Sequence, residues 1–286
     1  MFTGSIVALV TPMQADGAID EVSFRNLLSW HLSEGTHGIV INGTTGESAT
    51  LSSSEKLRLL MIAVEVVAGK IPVIAGTGTN STATTIEETK AAIAAGVDGC
   101  LVVTPYYNRP TQEGLYQHYQ AVATNCNIPL LLYNVPKRTG CDLLPETVIR
   151  LANIQNIVGI KEATGDVARV APLRAGCRKD FILLSGDDGS TLRFLQAGGD
   201  GVISVVANVM PNLFAKLCAL KSSDVAQAVR IDKQLYQLYQ ALGLESNPIP
   251  VKWALAYLGR IGSGIRLPLT PLDVKYHVAV QAALAE

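Results

Sequence analysis

Short apolar runs recur roughly every 25 to 30 residues along the chain, at 6–10, 38–41, 72–75, 99–103, 129–133, 157–161, 181–185 and 201–204. They show little polar alternation, the pattern of strands buried on both faces of a parallel sheet. Between them the apolar residues shift to helical spacing, as from Glu55 to Ile62 and from Ile86 to Ile93. Helix starts are marked too: Ser52-Ser53-Ser54-Glu55 offers a capping box, and Asp187 or Asp188 is placed to cap the helix leading to Phe194. Eight strands alternating with helices predict an α/β fold, a (β/α)8 TIM barrel rather than a doubly wound sheet. After Pro211 the strand signals stop, and 212–220, 225–242, 251–258 and 271–285 read as helices. The first closes the barrel; the others form a C-terminal helical extension. The expected division is a barrel over 1–224 and the extension over 225–286.

Composition narrows the class of partner. Apolar residues make up 48% and charged residues 16%, against a usual charged share of about a quarter, so much surface is buried, some of it between subunits. The net charge is -1 and no basic run stands out, which argues against nucleic acid and against an anionic membrane. A small polar metabolite fits better. Met1-Phe2-Thr3-Gly4 leads into an apolar run without a basic n-region, and no apolar window reaches the ~18 residues of a membrane span, so a soluble, cytoplasmic protein is expected. Five scattered cysteines lack a C-x-x-C pair, and four histidines lack metal-ligand spacing. Neither a disulfide frame nor a metal is indicated, and no cofactor is expected.

A barrel directs attention to the C-terminal ends of the strands and the loops that follow them. The sixth run, Ile157-Val158-Gly159-Ile160-Lys161-Glu162, ends on a lysine. A buried lysine needs a charge partner or a chemical task, because its charged form loses hydration. Lys161 therefore reads either as a Schiff-base nucleophile, whose neutral amine attacks a carbonyl carbon, or as a strand-end lysine paired with Glu162. The loop Asn42-Gly43-Thr44-Thr45-Gly46-Glu47-Ser48 after the second strand has two hydroxyls flanked by glycines. It offers backbone amides and O–H donors to an anion such as a carboxylate, or serves only as a tight turn. Tyr133-Asn134-Val135-Pro136 puts a phenol at a strand end, a proton shuttle or a rim aromatic. Arg138, in Lys137-Arg138-Thr139-Gly140, can clamp a carboxylate in bidentate fashion or stay solvated. Tyr106 and Tyr107 add two phenols at the same rim.

Gly43-Thr44-Thr45-Gly46-Glu47, Tyr133-Asn134-Val135-Pro136 and Gly159-Ile160-Lys161-Glu162-Ala163, in that order at successive strand ends, resemble the pyruvate-dependent Schiff-base aldolases and lyases. The similarity runs essentially the length of the chain and is greatest to the branch that condenses pyruvate with L-aspartate 4-semialdehyde. The resemblance implies that Lys161 forms an imine with pyruvate while Thr45 and the loop amides hold its carboxylate. It implies that Tyr133 shuttles protons through Thr44 to Tyr107, supplied by an adjoining subunit. Arg138 would receive the semialdehyde carboxylate, and Gly186 and Ile203 would make main-chain contacts. The product would feed lysine and diaminopimelate synthesis, and the assembly would be a homotetramer built as a dimer of dimers.

One part of the family pattern departs here. Members inhibited by lysine bind it in a cleft that Ser48, Ala49, Leu51, Asn80 and Tyr106 match. Strongly inhibited members also have imidazoles at positions 53 and 56 and a carboxylate at 84, where this chain has Ser53, Lys56 and Thr84. Weak or absent feedback is expected, since Lys56 would repel the effector's ammonium. Two other readings use the same scaffold. A sister lyase would cleave N-acetylneuraminate or a 2-keto-3-deoxy sugar acid; Arg138 and Thr44 favour the condensing branch over it. A non-catalytic keto-acid-binding barrel would have lost the chemistry, which retention of the lysine, both threonines and both tyrosines argues against.

Overall fold

The structure is a computed structural model that describes residues 2–220 and 223–285. Eight strands, β1 (Gly4–Ala8), β2 (Gly38–Ile41), β3 (Val73–Gly76), β4 (Gly99–Val103), β5 (Leu130–Asn134), β6 (Ile157–Glu162), β7 (Ile182–Ser185) and β8 (Gly201–Ser204), pair in parallel with their sequence neighbours. β1 then pairs with β8, from Gly4↔Gly201 to Val7↔Ser204, and closes the barrel. The expected (β/α)8 architecture is thus the observed one, with strand bounds within two residues of the apolar runs.

Side chains alternate between two separate cores. Ile6, Val40, Ile74, Leu101, Leu131, Ile182, Leu184 and Ile203 fill the barrel, with Phe2 closing its N-terminal end. A methyl group at Gly99 would sit 2.6 Å from the Phe2 ring, so the plug depends on that glycine. The outward-facing residues, among them Val7, Ile39, Leu130, Leu132 and Ile160, join the helices in a second, larger core.

Local signals set the helix starts. Ser52 and Glu55 form the expected capping box at helix Ser53–Val67, satisfying two end amides reciprocally. The two aspartates after β7 divide their work: Asp187 Oδ2 accepts from the Ser190 amide, whereas Asp188 Oδ2 reaches the amides of Val205 and Val206 after β8. Helices Pro211–Leu220, Val225–Ala241 and Ile249–Tyr257 lie where expected. The last one is shorter than its apolar pattern: a 3-10 turn at Val274–Tyr276 leads into helix His277–Leu284. Asp273 holds non-helical backbone, φ -58° and ψ 132°, and its carboxylate accepts from the Lys275 amide, which starts the helical turn there and not at Pro271. No helix among the described residues is long and apolar enough to cross a membrane.

Candidate active site

Lys161 reaches the barrel interior because β6 carries an irregularity. Leu130 pairs with Ile157, but Leu131 pairs with Gly159, so Val158 is an extra residue on the β6 side. One inserted residue reverses which side chains face inward. Downstream of it Tyr133 pairs with Lys161 and Asn134 with Glu162. Tyr133 and Lys161 thereby share the lumen face, and Asn134 and Glu162 share the outer one. Gly159 makes the crossing possible, since a Cβ there would lie 2.5 Å from the Ile182 carbonyl oxygen.

Lys161 is 6% exposed, and its Nζ lies 4.3 Å from the centroid of the Tyr133 ring. It makes no ion pair among the described residues. Gly186 faces it directly: a Cβ at Gly186 would come within 2.9 Å of Lys161 Cε and 2.5 Å of Ala163 Cβ. The pairing of Lys161 with Glu162 is excluded by where Glu162 goes. That carboxylate accepts from Asn134 Nδ2 at 3.2 Å and from the Thr164 amide at 2.8 Å, with the Arg169 guanidinium at 3.5 Å. Burial pushes the Glu162 carboxyl upward, opposed by these donors.

A cavity of about 520 Å³ opens over this end of the barrel. Tyr133, Thr44 and Arg138 line it, as do Ser48, Ala49, Leu51, Lys56 and Tyr106. A shallower hollow at the N-terminal side of β2 and β3, lined by Ser29, Thr36, Lys70 and Ile71 among others, gathers no comparable chemistry. Gly76, the last residue of β3, and Gly78 just after it are there for close packing: a Cβ would lie 2.3 Å from the Asn42 carbonyl oxygen and from the Val103 nitrogen respectively.

The Thr44-Thr45 loop is closed on itself. The amides of Gly46, Glu47 and Ser48 donate to carbonyls of Gly43 and Thr44, which leaves the Thr44 and Thr45 amides without a hydrogen bond among the described residues. Glu47 holds left-handed backbone, φ 58°, and sends its carboxylate down to Lys252, an ion pair with both side chains buried. The Arg266 amide donates to the other Glu47 oxygen at 3.0 Å. Burial pulls the Lys252 ammonium downward, opposed by the Glu47 carboxylate. Thr45 is buried, and its hydroxyl accepts from Asn247 Nδ2 at 3.0 Å. Arg138, at the rim, donates from Nη2 to the Asn247 carbonyl at 3.1 Å.

Ile203 is buried within the barrel, paired with Ile6 across β1. Tyr107 stands apart from Tyr133 and Thr44: it is 90% exposed with φ 74°, and its amide donates to the Thr139 carbonyl. Asn80 does not line the cavity; its carbonyl accepts from Asn108 Nδ2. Lys56 lies 3.5 Å from Glu88, a carboxylate not singled out in the sequence.

The dihydrodipicolinate synthetase family model matches residues 1–286. The chain belongs to that family. Within the dihydrodipicolinate synthetase family it is 55% identical to the 4-hydroxy-tetrahydrodipicolinate synthase of Saccharophagus degradans over 99% of this chain and 98% of the relative. Its fold superposes with TM-score 0.98 and 50% identity on the chloride-inhibited dihydrodipicolinate synthase of Acinetobacter baumannii complexed with pyruvate, covering 100% and 98% of the two chains. A dihydrodipicolinate synthase of Cyanidioschyzon merolae with lysine bound matches with TM-score 0.96 and 40% identity, covering 99% and 97%.

Two contributors to this site carry no motif of their own. Asn247 and Lys252 come from the C-terminal extension, more than two hundred residues after the loop they hold. Ser246-Asn247-Pro248 signals a turn, and nothing in its spacing ties it to Thr45.

Proposed function

We propose that the chain condenses pyruvate with L-aspartate 4-semialdehyde through a Schiff base on Lys161, the reaction of a 4-hydroxy-tetrahydrodipicolinate synthase. The observation that carries this reading is a buried lysine with no carboxylate partner, lying over a tyrosine at a cavity wall. The neutral Nζ adds to the keto carbon of pyruvate, and loss of water gives the imine. Removal of a C3 proton yields the enamine, which attacks the semialdehyde's aldehyde carbon. The semialdehyde's amine then closes the ring on the imine carbon and releases Lys161. Each step moves protons, the task assigned to Tyr133 with Thr44 and Tyr107. Thr45 and the unpaired amides of the loop receive the pyruvate carboxylate, Arg138 the semialdehyde carboxylate, and Gly186 and Ile203 the main-chain contacts.

Tyr107 supports an assembled enzyme in this reading. An exposed phenol outside its own chain's cavity fits delivery to a second subunit, and we assign the functional state to a homotetramer, a dimer of dimers. The barrel, 1–224, then supplies the reacting groups and the extension, 225–286, braces them. The outer part of the cavity, with Ser48, Ala49, Leu51 and Tyr106, is assigned as the effector cleft, with Asn80 at its edge. Lys56 lines it and would repel the effector's ammonium, so free lysine at about 1 mM is expected to inhibit less than two-fold; half-inhibition below that concentration overturns the assignment.

Borohydride reduction in the presence of pyruvate, followed by peptide mass spectrometry, tests the central claim. An adduct on Lys161 is expected; an unmodified Lys161 overturns it. Turnover with aspartate semialdehyde but not with N-acetylneuraminate separates the synthase from the sister lyase.

A further inference from the structure

We propose that Asn247 is a positioning residue for the keto-acid substrate, its side-chain amide holding the Thr45 hydroxyl as a donor toward the substrate carboxylate. This rests on the role given to Thr45 above. Asn247 sits just ahead of helix Ile249–Tyr257, and its Nδ2 donates to Thr45 Oγ1 at 3.0 Å across 202 residues of sequence. A hydroxyl has a single hydrogen to give. Because Thr45 Oγ1 accepts from Asn247, its own hydrogen is left to point elsewhere. A carboxylate is an acceptor only, so an anchor that donates is the form the substrate requires.

The same residue braces the second anchor by a different group. Its main-chain carbonyl accepts from Arg138 Nη2 at 3.1 Å. Its side-chain Oδ1, by contrast, is buried with no partner among the described residues. A desolvated acceptor is a cost that a turn residue without a task would shed by substitution. Here the amide is held from its donor side alone, by Thr45.

Side-chain substitution therefore separates the two anchors. Asn247→Ala leaves the carbonyl for Arg138, so the KM for pyruvate should rise about 3- to 10-fold, the worth of one hydrogen bond. The KM for the semialdehyde should stay within about two-fold. Thr45→Val should raise the pyruvate KM by itself, and in that background Asn247→Ala should add less than about two-fold, since the residue acts through the missing hydroxyl. Asn247→Asp, nearly the same size, carries the test if the alanine variant does not fold. Its carboxylate takes the Thr45 hydrogen, and the pyruvate KM should rise at least as far. Additive effects of the two substitutions, or equal rises for both substrates, overturn the proposal and leave the Schiff-base reading standing. An unchanged pyruvate KM in Thr45→Val overturns both the role of Thr45 and this proposal.

Discussion

Lys161 and Lys252 are 6% and 4% exposed, yet they sit in opposite surroundings. Lys252, on helix Ile249–Tyr257, is locked to the Glu47 carboxylate and serves the loop above it. Lys161, on β6, has an aromatic face beside it, a glycine in front and no carboxylate. Burying an ammonium is expensive, and a close, well-bonded counter-ion is the common way to offset the cost. Where the counter-ion is withheld the amine is left available to react. In the proposed reading the paired lysine holds structure, and the unpaired one is the nucleophile.

The sharpest way to break this contrast is to remove each lysine in turn. Lys161→Met should lower turnover by on the order of 10³-fold or more, as loss of a covalent nucleophile does, and should abolish borohydride trapping. Lys252→Met should leave trapping at Lys161 intact in the folded protein. An adduct on Lys252 in Lys161→Met, or loss of trapping in folded Lys252→Met, would dissolve the distinction.

Next in size is the neighbour that Lys161 does have. Tyr133→Phe keeps the ring against Lys161 Nζ and removes only the phenol oxygen. Turnover should fall by roughly 10²- to 10⁴-fold, the range for a positioned acid or base, with trapping by pyruvate slowed but not lost. Near-normal turnover would reduce Tyr133 to a wall of the pocket.

How far this contrast could be read in the sequence depends on the distance over which each signal acts. The strands were legible because parallel barrel strands are apolar on both faces, and Lys161 stood out as a candidate because it ends such a run. Its inward direction was not. Counting alternate positions from Ile157 puts Lys161 on the outer face, and only the extra residue at Val158, visible as the shift from Leu130↔Ile157 to Leu131↔Gly159, turns it in. Whether Lys161 was paired with Glu162 also stayed open, since adjacent strand residues point to opposite faces and Glu162's partners Asn134 and Arg169 come from other elements. The Thr44-Thr45 loop stood out as a candidate anion site, but its contacts with Asn247 and Lys252 did not, because pairings across two hundred residues leave no local pattern.

The structural lysine predicts a loss of stability and not of chemistry. Lys252→Met strands the Glu47 carboxylate, 4% exposed, with only the Arg266 amide as a donor among the described residues. Removing one partner of a buried pair costs about 3–5 kcal/mol, readable by urea unfolding. Replacing both residues, as Glu47→Leu with Lys252→Met, should recover part of that stability. A single variant as stable as the parent would mean that the pair contributes nothing to holding the loop.

A third way to bury an ionisable group is to keep it neutral, and His118 shows it. Its Nδ1 meets the Thr82 hydroxyl at 2.9 Å, its Nε2 is buried without a partner among the described residues, and burial brings its pKa down from 6.5 to about 4. The unfolded chain takes up a proton here below pH 6.5 while the folded chain does not until about pH 4. Stability therefore falls as pH drops through that window, by up to ~1.4 kcal/mol per unit from this site, and is unaffected by it above. Between pH 7 and pH 5 the parent should lose about 2 kcal/mol more than His118→Gln, measured as the difference between two pairs of urea melts. That comparison cancels the packing cost of the substitution and the titration of every other group the two proteins share. Equal losses would place a proton on His118 in the folded state, and with it a partner for Nε2 that the fold would have to supply.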